Sequence, residues 1–152
     1  MGAITLLGLL LRAHDLTGAP LFLDNEDELQ FAWAGMGLIL HGDAYTWSYF
    51  PAYPSHTTLH LFGQTFPMVH QWMDHPPLYS LLVGAWVVLL GARQLDQVTA
   101  VPVRIIPIVA SSATVFLIAV YARPILGRWP ALIAAALLAT APAAVLLGRQ
   151  SE

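Results

Sequence analysis

The sequence predicts an all-α membrane protein: a multi-span helical bundle with a long external first loop that contains an interfacial helix. Three observations carry that expectation. The 152 residues are 57% hydrophobic and only 10% charged, with mean hydropathy +0.65, whereas a soluble domain carries about 25% charged residues. Three long apolar runs are bounded by arginines, and the polar residues are concentrated between Arg12 and Asp74.

Residues 1–11 read as a partial first span, about half of the roughly 20 apolar residues that a bilayer core requires, closed by Arg12. They lack the basic leading region and small-residue cleavage site of a signal peptide. Residues 12–75 form the external loop. Within it, Asp24-Asn25-Glu26-Asp27-Glu28 leads into residues 28–41, where Leu29, Ala32, Trp33, Met36 and Leu40 fall on one stripe. That spacing marks a helix with one apolar face, too short to cross a membrane and suited to lying at its surface. Gly42 is the expected stop, because glycine permits a left-handed turn. The rest of the loop holds Tyr45, Trp47, Tyr49, Phe50, Tyr53, Phe62, Phe66 and Trp72. Such aromatics anchor at headgroup depth, or wall a groove for a lipid chain or a sugar. Spans are expected at 76–92, 104–121 and 129–148. Pro107 and Pro142 are tolerated there if neighbours satisfy the freed carbonyls. The half-length start and the abrupt end at Gln150-Ser151-Glu152 predict an N-terminal fragment of a longer chain, inactive alone.

Charge and composition exclude some functions. All six cations are Arg and the net charge is −3, so no basic patch offers a nucleic acid a footing. With no Cys there is no disulfide framework and no thiolate metal site. An external first loop puts Arg93 and Arg104 on one face and Arg12, Arg123 and Arg128 on the other. That gives no positive-inside bias, and charge alone does not orient the chain.

Asp27 and Glu28 at a helix start complement its dipole, worth about 0.3–1 kcal/mol. Four acids in five positions are more than one helix end needs, and clustering raises a carboxylate toward the range of a useful base. His75 stands before Pro76-Pro77, and proline is favoured in a first helical turn. His56-x3-His60 and His70-x4-His75 have spacings a metal could use, but six histidines in the chain produce such pairs by chance. The residues leave the metal unassigned; a divalent cation is compatible with the acids.

In order, these motifs resemble the GT-C membrane glycosyltransferases of the protein O-mannosyltransferase and aminoarabinose–lipid A transferase type. Asp27-Glu28-Leu29-Gln30-Phe31 matches the family's first-loop acidic pair, Gly42 its helix end, and His75-Pro76-Pro77-Leu78-Tyr79 the start of its second span. Val103-Arg104, and Leu138-Ala139-Thr140-Ala141-Pro142 followed by Arg149, match weaker downstream features. The resemblance covers nearly all of the chain. It implies transfer of a sugar from a polyprenyl-phosphate donor to a hydroxyl on a lipid, glycan or protein. It further implies a bacterial inner membrane with the first loop external. By alignment Asp27 is the base, and Glu28 orients it or helps bind a cation. His75, with Pro76 and Pro77, and Arg104 are implied on the donor side. Two rivals differ in class. A transporter fragment would carry charges inside its spans, and these carry none. A non-catalytic membrane subunit would bind through the aromatic loop and would keep its function without the acids.

Overall fold

The computed structural model describes residues 1–18, 27–53 and 56–149. Asp24, Asn25 and Glu26 of the acid run, and Gln150-Ser151-Glu152, lie outside the described residues. The chain is mostly helical. Its elements are α1 (Gly2–Ala13), α2 (Asp27–His41), β1 (Thr46–Trp47), β2 (Thr57–Leu61), β3 (Gln64–Val69) and α3 (Pro77–Leu89). A 3₁₀ turn (Leu95–Gln97), α4 (Ala100–Tyr121), α5 (Arg123–Leu126), α6 (Arg128–Thr140) and α7 (Pro142–Leu147) follow. The contacts divide into two compact units, residues 26–103 and residues 1–25 with 104–152.

In the first of these units α2 begins at Asp27 and Glu28, whose charges suit a helix N-terminus. It ends at His41, where Gly42 takes φ +72°. The helix is buried on every side from Glu28 to Gly37, not along one stripe. Phe31 and Ala34 pack with Ala44, Val69 and Trp72, Trp33 meets the Phe66 ring edge-on at 5.1 Å, and α3 covers another side. The α2–α3 contact is backbone to backbone. A Cβ on Gly35 would run into the Ser80 carbonyl, and one on Gly84 would run into the Gly35 backbone.

The loop also folds a three-stranded antiparallel sheet of order β1-β3-β2, which the sequence reading did not anticipate. β2 and β3 form a two-residue hairpin, Leu61 opposite Gln64, with Phe62 at φ +53° and Gly63 at φ +77°. Positive φ at both central residues is the type I′ geometry that matches strand twist.

The second unit assembles α1, α4 from Arg104 onward, α5, α6 and α7. Small residues let its helices close on one another: Val115, Ala119, Ala135 and Ala139 form a core, with Ile4, Ile118 and Leu138 against it. Among the described residues, Ala100–Leu126 is the one helical stretch long and apolar enough to cross a membrane: it has 27 residues, with mean hydropathy 2.2 over its 18-residue apolar window. Gly2–Ala13, Pro77–Leu89 and Arg128–Thr140 are apolar but shorter.

The apolar run 129–148 is two helices rather than one. Ala141 is extended at φ −60° and ψ 122°, because the ring of a following proline disfavours the helical region. Pro142 has no N–H, so the Leu138 carbonyl loses its helical donor. Arg12 supplies the replacement. Its Nη2 donates to the carbonyls of Leu138 (3.2 Å) and Ala144 (3.2 Å), and its Nη1 to those of Ala139 (3.3 Å) and Gly8 (3.1 Å). The side chain is 1% exposed, so its donors are spent on these carbonyls rather than on water. Each buried acceptor left without a donor costs about 1–3 kcal/mol. Arg12→Met should therefore lower stability by about 3 kcal/mol or more, read as a drop in melting temperature in detergent. An unchanged midpoint would mean that the break holds itself.

Candidate functional site

The Gly35–Gly84 crossing brings the N-termini of α2 and α3 to the same end. Phe31, one turn into α2, lies 5.2 Å from the His75 ring and 5.2 Å from the Tyr79 ring at the start of α3. Trp72 closes the cluster at 5.9 Å from Phe31 and 5.6 Å from His75. Beside it lies a hollow of ≈ 350 Å³ lined by Asp27, Gln30, Trp47, Ser48, Tyr49, Phe50, Asp74 and His75. Asp27 is half-buried and His75 exposed. Residues distant in the chain thus present a carboxylate and an imidazole to one space.

Three ties fix its walls. The Gln30 amide donates to the Trp47 carbonyl at 2.8 Å and holds β1 to α2. Asp74 accepts from Ser48 Oγ at 2.7 Å, Tyr53 OH at 2.6 Å and Trp72 Nε1 at 2.8 Å, pinning residues 48–53 to the residue before His75. Ser48 Oγ and the Tyr53 hydroxyl accept in turn from the N–H groups of Phe50 (3.2 Å) and Met73 (2.9 Å). Burial first, and then the hydrogen bond to Asp74, pushes the Tyr53 phenol above its ordinary range, so it stays protonated and keeps donating. Tyr49 and Phe50 are 66% and 60% exposed at the rim, and Tyr49 leans on Trp47 at 5.2 Å.

The residues singled out from sequence are distributed unevenly. Asp27 and His75 meet at the hollow. Pro76 and Pro77 are exposed at the start of α3, Pro76 capping it and Pro77 opening it. Glu28 is 0% exposed inside the α2 packing. Arg104 belongs to the other unit, is fully buried, and donates from Nη1 to the Leu16 carbonyl. Asp24 and Glu26 lie outside the described residues.

Two of the paired histidines, His60 and His70, are engaged away from the hollow. His60 Nδ1 bonds Thr65 Oγ1 at 2.9 Å. His70 Nδ1 donates to Asp43 at 2.5 Å. That bond, with the Gln71 N–H, holds Asp43 below the usual carboxylate range against the opposing effect of burial. Among the described residues no group of three or more His, Cys, Asp or Glu side chains is placed to hold a metal ion. Sequence reasoning gave no role to Asp74, Gln30 or Ser48 and placed Tyr53 only among the loop aromatics. Only Asp74 had a visible signal, an acid directly before His75; the others act through partners far along the chain.

Comparison with known proteins gives one finding. The family model described as dolichyl-phosphate-mannose-protein mannosyltransferase matches residues 74–152, just over half of the chain. The match opens at Asp74, takes in His75, Pro76, Pro77 and Arg104, and leaves Asp27 and Glu28 ahead of it. No curated protein and no solved structure matches the chain.

Proposed function

Because this chain belongs to the dolichyl-phosphate-mannose-protein mannosyltransferase family, we propose that its hollow is the transfer site of a membrane glycosyltransferase. Membership implies a lipid-linked sugar donor, and membership with the apolar helix Ala100–Leu126 implies a membrane location. The finer reading is a multi-span bundle in a bacterial inner membrane with its first loop external. It would take sugar from a polyprenyl phosphate to a hydroxyl of a lipid, glycan or protein.

One observation carries the assignment: Asp27 and His75 line the same aromatic-walled hollow. The Asp27 carboxylate takes the acceptor hydroxyl's proton as that oxygen bonds to the anomeric carbon. The bond from the anomeric carbon to the lipid phosphate breaks, and its electron pair leaves on the phosphate. His75 donates to the departing phosphate, stabilising charge that grows in the transition state. Trp47, Tyr49 and Phe50 offer faces to the sugar ring. Glu28, buried in the first turn of α2, orients Asp27, and Pro76 and Pro77 set His75 at the start of α3; Arg104 keeps the donor-side role on the family resemblance alone.

Membranes carrying the complete enzyme that contains this chain should move labelled sugar from a polyprenyl-phosphate donor to an endogenous acceptor. Membranes from cells lacking its gene should not. Equal transfer in both would remove the assignment.

A further inference from the structure

We propose that the turn joining α5 to α6 binds the phosphate of an anionic membrane phospholipid. Gly127, at φ +85°, folds the chain back and brings Arg123 and Arg128 to one hollow of ≈ 360 Å³, with Met1 and Leu132 completing the lining. Two of the chain's six cations therefore share one space. Residues 97–149 contain neither Asp nor Glu. Among the described residues neither guanidinium has a carboxylate partner; Arg128 rests over the Trp129 ring at 5.5 Å. Two like charges around one hollow repel, and an anion between them removes the repulsion. A phosphate suits best, because a guanidinium meets two of its oxygens at once.

The setting identifies the source of that phosphate. Ala100–Leu126 has 27 residues, about 40 Å of helix at 1.5 Å per residue, which exceeds the roughly 30 Å hydrocarbon core. Its last turn, with Arg123, thus falls at headgroup depth. Tyr121 and Trp129, 69% and 70% exposed, flank the turn as interfacial aromatics do. Ile125, 82% exposed, offers apolar surface to an acyl chain. The proposal rests on the membrane location that family membership implies and not on the role of Asp27. Its test reads lipid binding without sugar transfer.

The protein purified in detergent should retain phosphatidylglycerol over phosphatidylcholine in native mass spectrometry. The Arg123→Gln/Arg128→Gln double variant should lose about tenfold or more of that preference, in line with what two cations contribute near an anionic surface. Arg123→Lys/Arg128→Lys should keep more of it than the Gln variant, because the charges stay although the two-oxygen contact is lost, which separates charge from misfolding. Equal retention of the two lipids by the unaltered protein would overturn the proposal. So would competition by millimolar inorganic phosphate, which would make the hollow a site for free anion. Polyprenyl phosphate displacing phosphatidylglycerol from this turn would give the site to the donor and overturn it as well.

Discussion

In the complete enzyme that contains this chain, Asp27→Asn should lower sugar transfer about 10²–10⁴-fold, the usual loss on removing a general base, while the protein still inserts and binds its donor. The substitution keeps the side chain's shape and removes its negative charge and its capacity to take a proton. If Asp27 served only the α2 dipole, about 0.3–1 kcal/mol of stability would go and turnover would hardly move. The neighbouring acids are poorer candidates for the base. Glu28 is fully buried in the helix packing. Asp74 reaches the hollow, but its two oxygens are already committed to Ser48, Tyr53 and Trp72. Asp74→Asn would turn an amide group toward those donors, so activity lost there should come with a lowered melting temperature. The Asp27→Asn enzyme should lose far less of its midpoint than of its activity, about the 0.3–1 kcal/mol of a helix-dipole charge. Steady-state transfer and thermal unfolding of the two variants, measured in membranes and in detergent respectively, separate a chemical role from a structural one. Near-normal turnover by Asp27→Asn would move the base elsewhere.

The sequence made α2 visible because its signals are local. Acids stand in its first turn, Gly42 at its end, and an apolar pattern lies between them. That same pattern misread its surroundings. Leu29, Ala32, Trp33 and Met36 form a stripe, but Glu28 and Gln30 on other faces are equally buried, since the chain wraps a sheet and a second helix around them. The sheet escaped notice because its hairpin turn is Phe62-Gly63, with a bulky residue at positive φ, where asparagine or aspartate is the expected signal. Pro142 stood within one expected span, and only the structure shows the break there, with Arg12 satisfying the carbonyls it frees. In the hollow, Asp27 and His75 stood out through motif order. Asp74 did not, because its hydrogen bonds to Ser48 and Tyr53 join residues more than a full helix length apart.

Gly84→Ala should damage both fold and transfer, although alanine is the better helix former. In an isolated helix the exchange would gain about 1 kcal/mol. Here the new Cβ would meet the Gly35 carbonyl carbon, the Met36 nitrogen and the Gly35 Cα. All three are backbone atoms, so no side chain can rotate out of the way and the helices must part. Overpacking a core costs about 1–3 kcal/mol even where side chains can yield, so the clash outweighs the propensity gain. The consequence reaches the site, because this crossing sets Asp27 at the start of α2 beside His75 at the start of α3. A misplacement of about 1 Å between reacting groups can cost about 10²-fold in rate. Gly84→Ala should thus lower the melting temperature and reduce transfer by about that factor. Gly2→Ala, whose Cβ would meet nothing within 4 Å, should do neither. Gly84→Ala with an unchanged midpoint and full activity would show that the α2–α3 contact does not position the hollow.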